Sequence, residues 1–378
     1  MKKHYLLGIT LFIASILIFV SCSDDDEGYV LLPAVSPVVV DLTQVPYPKL
    51  SDYHFFEGPM KNQKPSLGVL PYAPASVLFS DYAHKKRFVW MPPGTSATYN
   101  GDGNVLELPV GSVLIKTFYY DNVQNVTPVG STRIIETRIM IRKSTGWVFA
   151  DYVWNAEQTE AYQDLNGSYT NITWLENSVS KNVNYRIPSE VQCIICHKRK
   201  DVVNGNEVTT HMPIGIKPQN LNYNYNYGTS SQNQLTKWMQ QGFLPTNFTL
   251  PSEANTTIDY NDTSKSLELR VRSYVDINCS HCHTTQRHCD YRPMKFDFAS
   301  TNNNLTNMGV CVNTEDMQDF DPALDKIVNP GSPNRSMMYH RINTTNEAFM
   351  MPLHGRSLIH QEGVDLIGAW INSLQPCQ

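Results

Sequence analysis

Two five-residue motifs carry the side chains in this sequence that are best suited to chemistry. Each has the pattern Cys-x-x-Cys-His, and the residues are Cys193, Cys196 and His197 in the first motif and Cys279, Cys282 and His283 in the second. Thiols three positions apart lie on one face of a helical turn. They can add to the two vinyl groups of one porphyrin, and the adjoining imidazole then reaches the iron. The motifs therefore predict two covalently attached haems c.

A four-thiolate zinc site is the alternative for two Cys-x-x-Cys pairs. Three features favour haem instead. Each pair is followed directly by a histidine, and the pairs are 86 positions apart, which is far more than in a zinc ribbon. The chain also begins with an export signal, described below, and haem c is attached outside the cytoplasm. We therefore expect His197 and His283 to be iron ligands.

A methionine followed by proline lies after the second motif, just before the last predicted helix. Met351 directly precedes Pro352, and this position suits the sixth ligand of the second iron. A thioether ligand raises the reduction potential of a haem, so we predict Met351 in this role. Met350 is an alternative, and His354 is another that would lower the potential.

The first iron has a less distinct partner. Met212 precedes Pro213 shortly after the first motif and is the predicted sixth ligand. His211 lies beside Met212, and Met239 lies within a predicted helix. A ligand from another segment or an open sixth position are further alternatives, and an open position would bind peroxide or another small ligand. No residue is assigned a catalytic role.

The N terminus has the pattern of an export signal. Lys2 and Lys3 precede an apolar run over residues 6–20, and the run ends at Cys22. This pattern predicts a signal peptide over residues 1–21, with lipidation of Cys22. The run is short for a transmembrane helix. The acidic residues that follow it favour an outer-membrane lipoprotein, on the periplasmic or the cell-surface side.

Removal of the signal changes the net charge from −5 to −7, because it takes away two lysines and no acid. A mildly acidic body lacks the basic patch of a nucleic-acid-binding protein. We therefore expect redox partner proteins and a membrane contact through the lipid at Cys22, and no nucleic acid.

Three cysteines are left after the assignments to haem and lipid. Export permits disulfides, and Cys289 and Cys311 are close enough in sequence to pair. Cys377 would then be left over. The sequence alone does not decide this pairing.

Composition and periodicity divide the chain into segments. Residues 22–45 are predicted to be a tether, and residues 46–185 contain short β-branched and aromatic runs separated by turn residues. Such runs predict a β-rich domain of sandwich or barrel-like form. His54 and His84 are isolated within it, and we interpret both as structural.

From residue 186 the apolar pattern becomes helical. It predicts a first haem c domain over residues 186–255 and a second over residues 256–378, both small, all-α and similar to cytochrome c. The predicted fold class is therefore α+β and multidomain, with a β-rich domain followed by two helical haem domains.

Several short segments outside the haem motifs resemble a bacterial family of diheme c-type cytochromes, many of which are lipoproteins. The resemblance covers residues 47–374. The segments are Leu50-Ser51-Asp52-Tyr53, Leu78-Phe79-Ser80-Asp81-Tyr82-Ala83, Arg87-Phe88-Val89-Trp90, Pro92-Pro93-Gly94-Thr95, Ile135-Glu136-Thr137-Arg138, Tyr152-Val153-Trp154-Asn155 and Met351-Pro352-Leu353. The resemblance implies an electron carrier or a redox subunit, and it implies no substrate.

Three functions follow from these expectations. The first is an exported diheme cytochrome that transfers single electrons. The second is a diheme redox enzyme similar to a peroxidase, which needs one haem with an open position and acid–base groups beside it. The third is a surface-binding or sensory lipoprotein whose β-rich domain holds a ligand. The first is preferred because two motifs occur together with a methionine-proline pair.

Overall fold

The computed structural model describes residues 35–377. The predicted signal peptide, Cys22 with its predicted lipid, and the first part of the predicted tether lie outside these residues. From Ser36 onward the chain forms one compact unit. Within the described range, no helix is both long and apolar enough to cross a bilayer.

The centre of the fold is an eight-stranded antiparallel sheet. Its strands are β3 (Val69–Pro71), β4 (His84–Trp90), β5 (Val113–Val123), β6 (Ser131–Lys143), β7 (Gly146–Trp154), β8 (Ala161–Gln163), β9 (Ser168–Glu176) and β10 (Val179–Ile187). The order is β10-β9-β5-β6-β7-β8, and β4 pairs with β5 on one side and with β3 on the other. β-Branched and aromatic side chains suit such strands because they pack well on a pleated surface.

The remaining regular elements are short. The strands form three hairpins: β1 (Phe56–Glu57) with β2 (Lys64–Pro65), β11 (Lys198–Val203) with β12 (Asn206–His211), and β13 (Asn224–Asn226) with β14 (Ser231–Asn233). The α-helices in residues 35–377 are α1 (Glu190–His197), α2 (Pro218–Leu221), α3 (Gln234–Gln240), α4 (Leu267–Asn278), α5 (Met337–Ile342) and α6 (Gln361–Ser373).

One face of the sheet is covered by the segment that precedes it. Leu50, Tyr53 and Phe55 are buried against sheet residues such as Ile115 and Tyr152. The end of the predicted tether takes part in this layer, because residues 38–45 also pack there. Burial of these large side chains removes apolar surface from water, which stabilises the layer.

The opposite face packs on the part of the chain that holds the first motif. Leu114 and Met140 of the sheet share a core with Leu235 and Trp238 of α3. Helix α1 lies against β7. The sheet is therefore the support on which the first motif rests.

The last part of the chain has a core of its own. Helices α4 and α6 pack against each other, and Val271, Val275, Ile367 and Trp370 are buried between them and their neighbours. A disulfide joins Cys311 to Cys377, with 5.8 Å between the Cα atoms. The structure thus decides the pairing that the sequence left open: the chain folds back and brings Cys377 to Cys311, and Cys289 is free.

The fold class predicted from the sequence is wrong in its second half. A β-rich N-terminal part is present, but two all-α haem domains do not follow it. The eight residues of α1 lead directly into the β11–β12 hairpin. In residues 279–336 the structure has turns, isolated bridges and one 3₁₀ helix, Pro333–Arg335. The apolar periodicity indicated real helices, but these are too few and too short to form two all-α domains.

Candidate haem sites

The first motif lies on α1. Ser189 caps this helix, and its side chain and that of Gln192 form a reciprocal capping box with the backbone. Such a box satisfies N–H groups that lack partners at a helix start. Cys193 and Cys196 are three positions apart on this helix, and Cys193 packs against the core of the sheet. Neither cysteine forms a disulfide, so both thiols are available for thioether bonds.

His197 has the environment of an oriented metal ligand. Its Nδ1 lies 2.7 Å from the carbonyl oxygen of Met212, to which an Nδ1–H donates. This bond leaves Nε2 as the ligating atom, as in many metal sites where a carbonyl orients the imidazole. Burial lowers the pKa of His197 to about 4, so the ring is neutral and able to bind iron at neutral pH.

Met212, the predicted sixth ligand, is held on the Nδ1 side of that imidazole. Its backbone N–H also donates to the carbonyl of His197, at 2.9 Å. Its side chain lines a cavity with Cys196 and His281 that His197 does not line. The backbone of Met212 thus holds His197, and the two residues line no cavity together. The role of Met212 as a sixth ligand stays a prediction.

The other two candidates for the first iron lie near Met212 or within the core. His211 is in the same hairpin and contacts the ring of Phe149, at 5.5 Å between ring centroids. Met239 packs against the core beside the sheet. Neither residue lines the cavity that contains His197.

That cavity, the first cavity, has a volume of about 160 Å³ and is bounded by α1 and the sheet. Cys193, Cys196 and His197 line it. Its wall also includes three side chains able to bind iron that the sequence did not suggest for this site, namely Met140, His281 and His354. Charged groups of the sheet complete the wall.

The second motif begins where α4 ends. Cys279 is the C-terminal cap of the helix, and the N–H groups of Cys282 and His283 donate to its carbonyl at 3.1 and 3.0 Å. The motif is therefore one tight turn that continues the helix direction. Asn278, just before it, accepts from the N–H of Phe79 at 2.9 Å, which fixes the turn against the loop that leads into the sheet.

A larger cavity, the second cavity, surrounds this motif and has a volume of about 380 Å³. Cys279, Cys282 and His283 line it together with Met351, the predicted ligand. Met350 does not line it and is buried in the core. The wall includes three further methionines that sequence reasoning did not select, Met294, Met337 and Met338.

The imidazole of His283 differs from that of His197 in its hydrogen bonds. Burial lowers its pKa to about 4 as well, so it too is neutral and able to bind a metal. Its Nδ1 is buried and has no hydrogen-bond partner among the described residues. The ring of Phe296 contacts it, at 5.7 Å between ring centroids. Packing rather than a carbonyl therefore orients this ring.

The two motifs meet in space. The sulfur atoms of Cys196 and Cys282 and a ring nitrogen of His281 all lie within 4.8 Å of one another. The separation of 86 positions, which counted against a shared zinc site, is therefore no measure of distance in the fold. Cys193 and Cys279 lie outside this group, so it holds one thiol of each pair and not the four of a ribbon site.

A buried ion pair fixes the two motif regions together. Lys217 Nζ lies 2.7 Å from Asp276 Oδ1, and this carboxylate also accepts from the N–H of Phe298 at 2.9 Å. Asp276 is almost fully buried. Breaking a buried pair costs several kcal/mol, about 3–5. Sequence reasoning missed Asp276, although an acid among the apolar residues of α4 is the signal that could have identified it.

Comparisons of the chain with protein-family models, curated proteins and solved structures find no significant match. The interpretation of the two candidate sites therefore rests on their own residues and geometry.

Proposed function

We propose that this chain is an exported diheme c-type cytochrome that transfers single electrons. The observation that carries the proposal is the proximity of the motifs: Cys196 and Cys282, one attachment residue from each, have their sulfur atoms within 4.8 Å of each other. Two cofactors attached at these atoms would be adjacent. Such an arrangement suits exchange of electrons between two centres.

The residues of the two motifs fit haem c. The four cysteines of the motifs are free of disulfides, the two half-buried histidines are neutral, and each motif lines a cavity. Haem c, when bound, supplies an iron that changes between the ferric and ferrous states. The cysteines of each motif hold one porphyrin, and His197 and His283 bind the irons. Met351 is positioned in the second cavity, where a thioether would favour the ferrous state.

The location and the partners are also proposals. The signal pattern and Cys22 support an outer-membrane lipoprotein, and the acidic net charge is compatible with redox partner proteins that carry basic patches. The β-rich part gives the first motif a rigid support, which favours a fixed geometry at that site.

The test is to express the full chain in a bacterial host that attaches haem c and to count haem by the pyridine haemochrome method. Two haems per chain are expected. Double substitution of Cys193 and Cys196 by serine, or of Cys279 and Cys282 by serine, should leave one haem in each case. Colourless protein that contains zinc would contradict the proposal.

A diheme redox enzyme is the second candidate, and one observation favours it. Met212 does not line the first cavity, whose wall carries Lys116, Arg138 and Asp151. A first iron without a protein ligand at its sixth position would be open to small molecules. Binding of carbon monoxide by the reduced protein distinguishes the two. Rapid binding of one equivalent favours the enzyme, whereas slow or no binding favours the carrier.

A further inference from the structure

A row of charged side chains crosses the sheet beneath the first motif. Arg87 of β4 lies opposite Lys116 of β5 in the register of the sheet. Lys116 lies in turn opposite Arg138 of β6, and Arg138 opposite Asp151 of β7. Cross-strand partners point to the same face of a sheet. All four side chains line the first cavity, together with the cysteines and the histidine of the first motif.

The end of this row at β6 and β7 is neutralised within the protein. Arg138 forms an ion pair with the buried carboxylate of Glu136, with the Nε–Oε2 distance at 3.0 Å. It also lies 3.6 Å from Asp151. Tyr185 donates to Glu136 at 2.6 Å. Burial and the charge of Glu136 raise the pKa of Asp151 well above its usual range, so Asp151 adds little negative charge.

The other end carries two cations without a carboxylate. Among the described residues, neither Arg87 nor Lys116 has a carboxylate within salt-bridge distance, although Arg87 is buried and Lys116 half-buried. Lys116 lies over the ring of Phe118, at 4.8 Å from its centroid. Like charges directly opposite each other in a sheet are destabilising, and burial of an unpaired cation adds to the cost. Burial, together with the charges of Arg87 and Arg138, accordingly lowers the pKa of Lys116 well below its ordinary range. A charged pair of Arg87 and Lys116 is therefore unfavourable unless an anion accompanies it.

We propose that Arg87 and Lys116 bind the propionate carboxylates of the first haem. The inference rests on the proposed function, because it needs a haem on Cys193 and Cys196. A haem carries two propionates, which match two unpaired cations in number and in sign. Arg87 and Lys116 line the same cavity as Cys193, Cys196 and His197, so they would face a porphyrin that is held there. Arginine binds carboxylates with paired N–H groups, and lysine binds them as a point charge.

The test compares Lys116→Met with Lys86→Met in the full haem-containing chain. Lys86 is the neighbouring lysine on β4; it is exposed and does not line the cavity. A cation beside a haem disfavours ferric iron. Lys116→Met should therefore lower the potential of the first haem by about 59 mV, a tenfold change in the oxidation equilibrium. Lys86→Met should leave that potential unchanged, and Lys116→Arg should largely restore it.

The sign of the stability effect gives a second test. In the chain with Cys193 and Cys196 replaced by serine, no propionate is present, so Lys116→Met should raise the Tm by relieving repulsion from Arg87. In the haem-containing chain the same change should lower the Tm. Identical effects in both backgrounds would overturn the inference.

Two further outcomes separate the possible failures. If the matured protein holds no haem, the proposed function fails. If it holds two haems but Lys116→Met behaves like Lys86→Met, only this inference fails. A free anion is the other possible occupant: if acetate or inorganic phosphate raises the Tm of the haem-containing chain, and Lys116→Met abolishes that response, the cations are accessible to solutes and are not occupied by propionates.

Discussion

The two Cys-x-x-Cys-His motifs of this chain are supported in different ways. The first lies on a short helix that packs against an eight-stranded sheet, and charged side chains line its cavity. The second continues the long helix α4 and lies in a larger cavity with methionines and aromatic rings in its wall. The wall of the second cavity also carries charged groups, among them Arg292, Arg341 and Glu315. The same five-residue pattern thus rests on a sheet in one place and at the end of a long helix, among loops and methionines, in the other.

The difference extends to the histidines. A carbonyl orients His197, whereas packing against Phe296 orients His283. A hydrogen bond to Nδ1–H makes an imidazole a stronger donor to a metal. In the proposed cytochrome the motif would specify attachment of each haem, while the surrounding elements would determine the electrostatics of each iron.

The largest expected effect is loss of the cofactor from one site. The second cavity, at about 380 Å³, is larger than the first, at about 160 Å³, so a cofactor held there would bury more apolar surface. Replacing Cys279 and Cys282 by serine should therefore lower the free energy of unfolding more than replacing Cys193 and Cys196. Urea unfolding of the two one-haem variants measures this, and the reverse order would contradict the comparison.

Removal of the disulfide should affect the second region. The bond between Cys311 and Cys377 closes a loop with a sequence separation of 66, for which the chain-entropy relation gives about 4 kcal/mol. Cys377→Ser should lower the free energy of unfolding by up to this amount, measured in urea without reductant. Cys289→Ser changes a buried free cysteine and is the control. If the two variants lose the same stability, the pairing is not what stabilises this region.

The methionines give a sharper contrast between the sites. Met351→Ala should lower the reduction potential of the second haem by at least about 59 mV, because a thioether favours ferrous iron. This shift is a tenfold change in the oxidation equilibrium. Met212→Leu should leave the first potential unchanged, because Met212 lies on the Nδ1 side of His197. A redox titration followed by visible absorbance measures both. A clear shift in Met212→Leu would show that the placement of this residue is wrong.

The charged face of the sheet should give the smallest effect, a dependence of stability on pH. Burial, with Arg87 and Arg138 nearby, lowers the pKa of Lys85 to about 7, and Asp81 opposes this in part. The unfolded chain keeps the proton up to the ordinary value of 10.5. The folded state thus binds fewer protons between these values, and its stability should rise as the pH rises from about 7.

Lys85→Met should remove this rise, and Lys86→Met should keep it. Urea unfolding at pH 7 and at about pH 9.5 measures the difference. An equal rise in Lys85→Met would assign the dependence to other groups.

Local signals in the sequence predicted several elements correctly. The helical pattern from residue 186 and the last helix, predicted after the methionine-proline pair, are present as α1 and α6. Such signals are reliable because caps and apolar periodicity depend on neighbours along the chain. The fold class failed because periodicity shows that a helix exists but not how many helices surround a cofactor. The hydrogen bond between His197 and the carbonyl of Met212 could not be predicted, because it depends on the β11–β12 hairpin, which returns the chain to His197.

The sequence by itself determined the chemistry that each motif can perform, because the spacing of two thiols and a histidine is a local property of one helical turn. It also determined which segments have apolar faces. Only the tertiary structure decided that Cys196 and Cys282 are neighbours, that Cys311 pairs with Cys377, and that cations line the first cavity. These relations join residues that are distant in the chain, and they arise from the packing of whole elements.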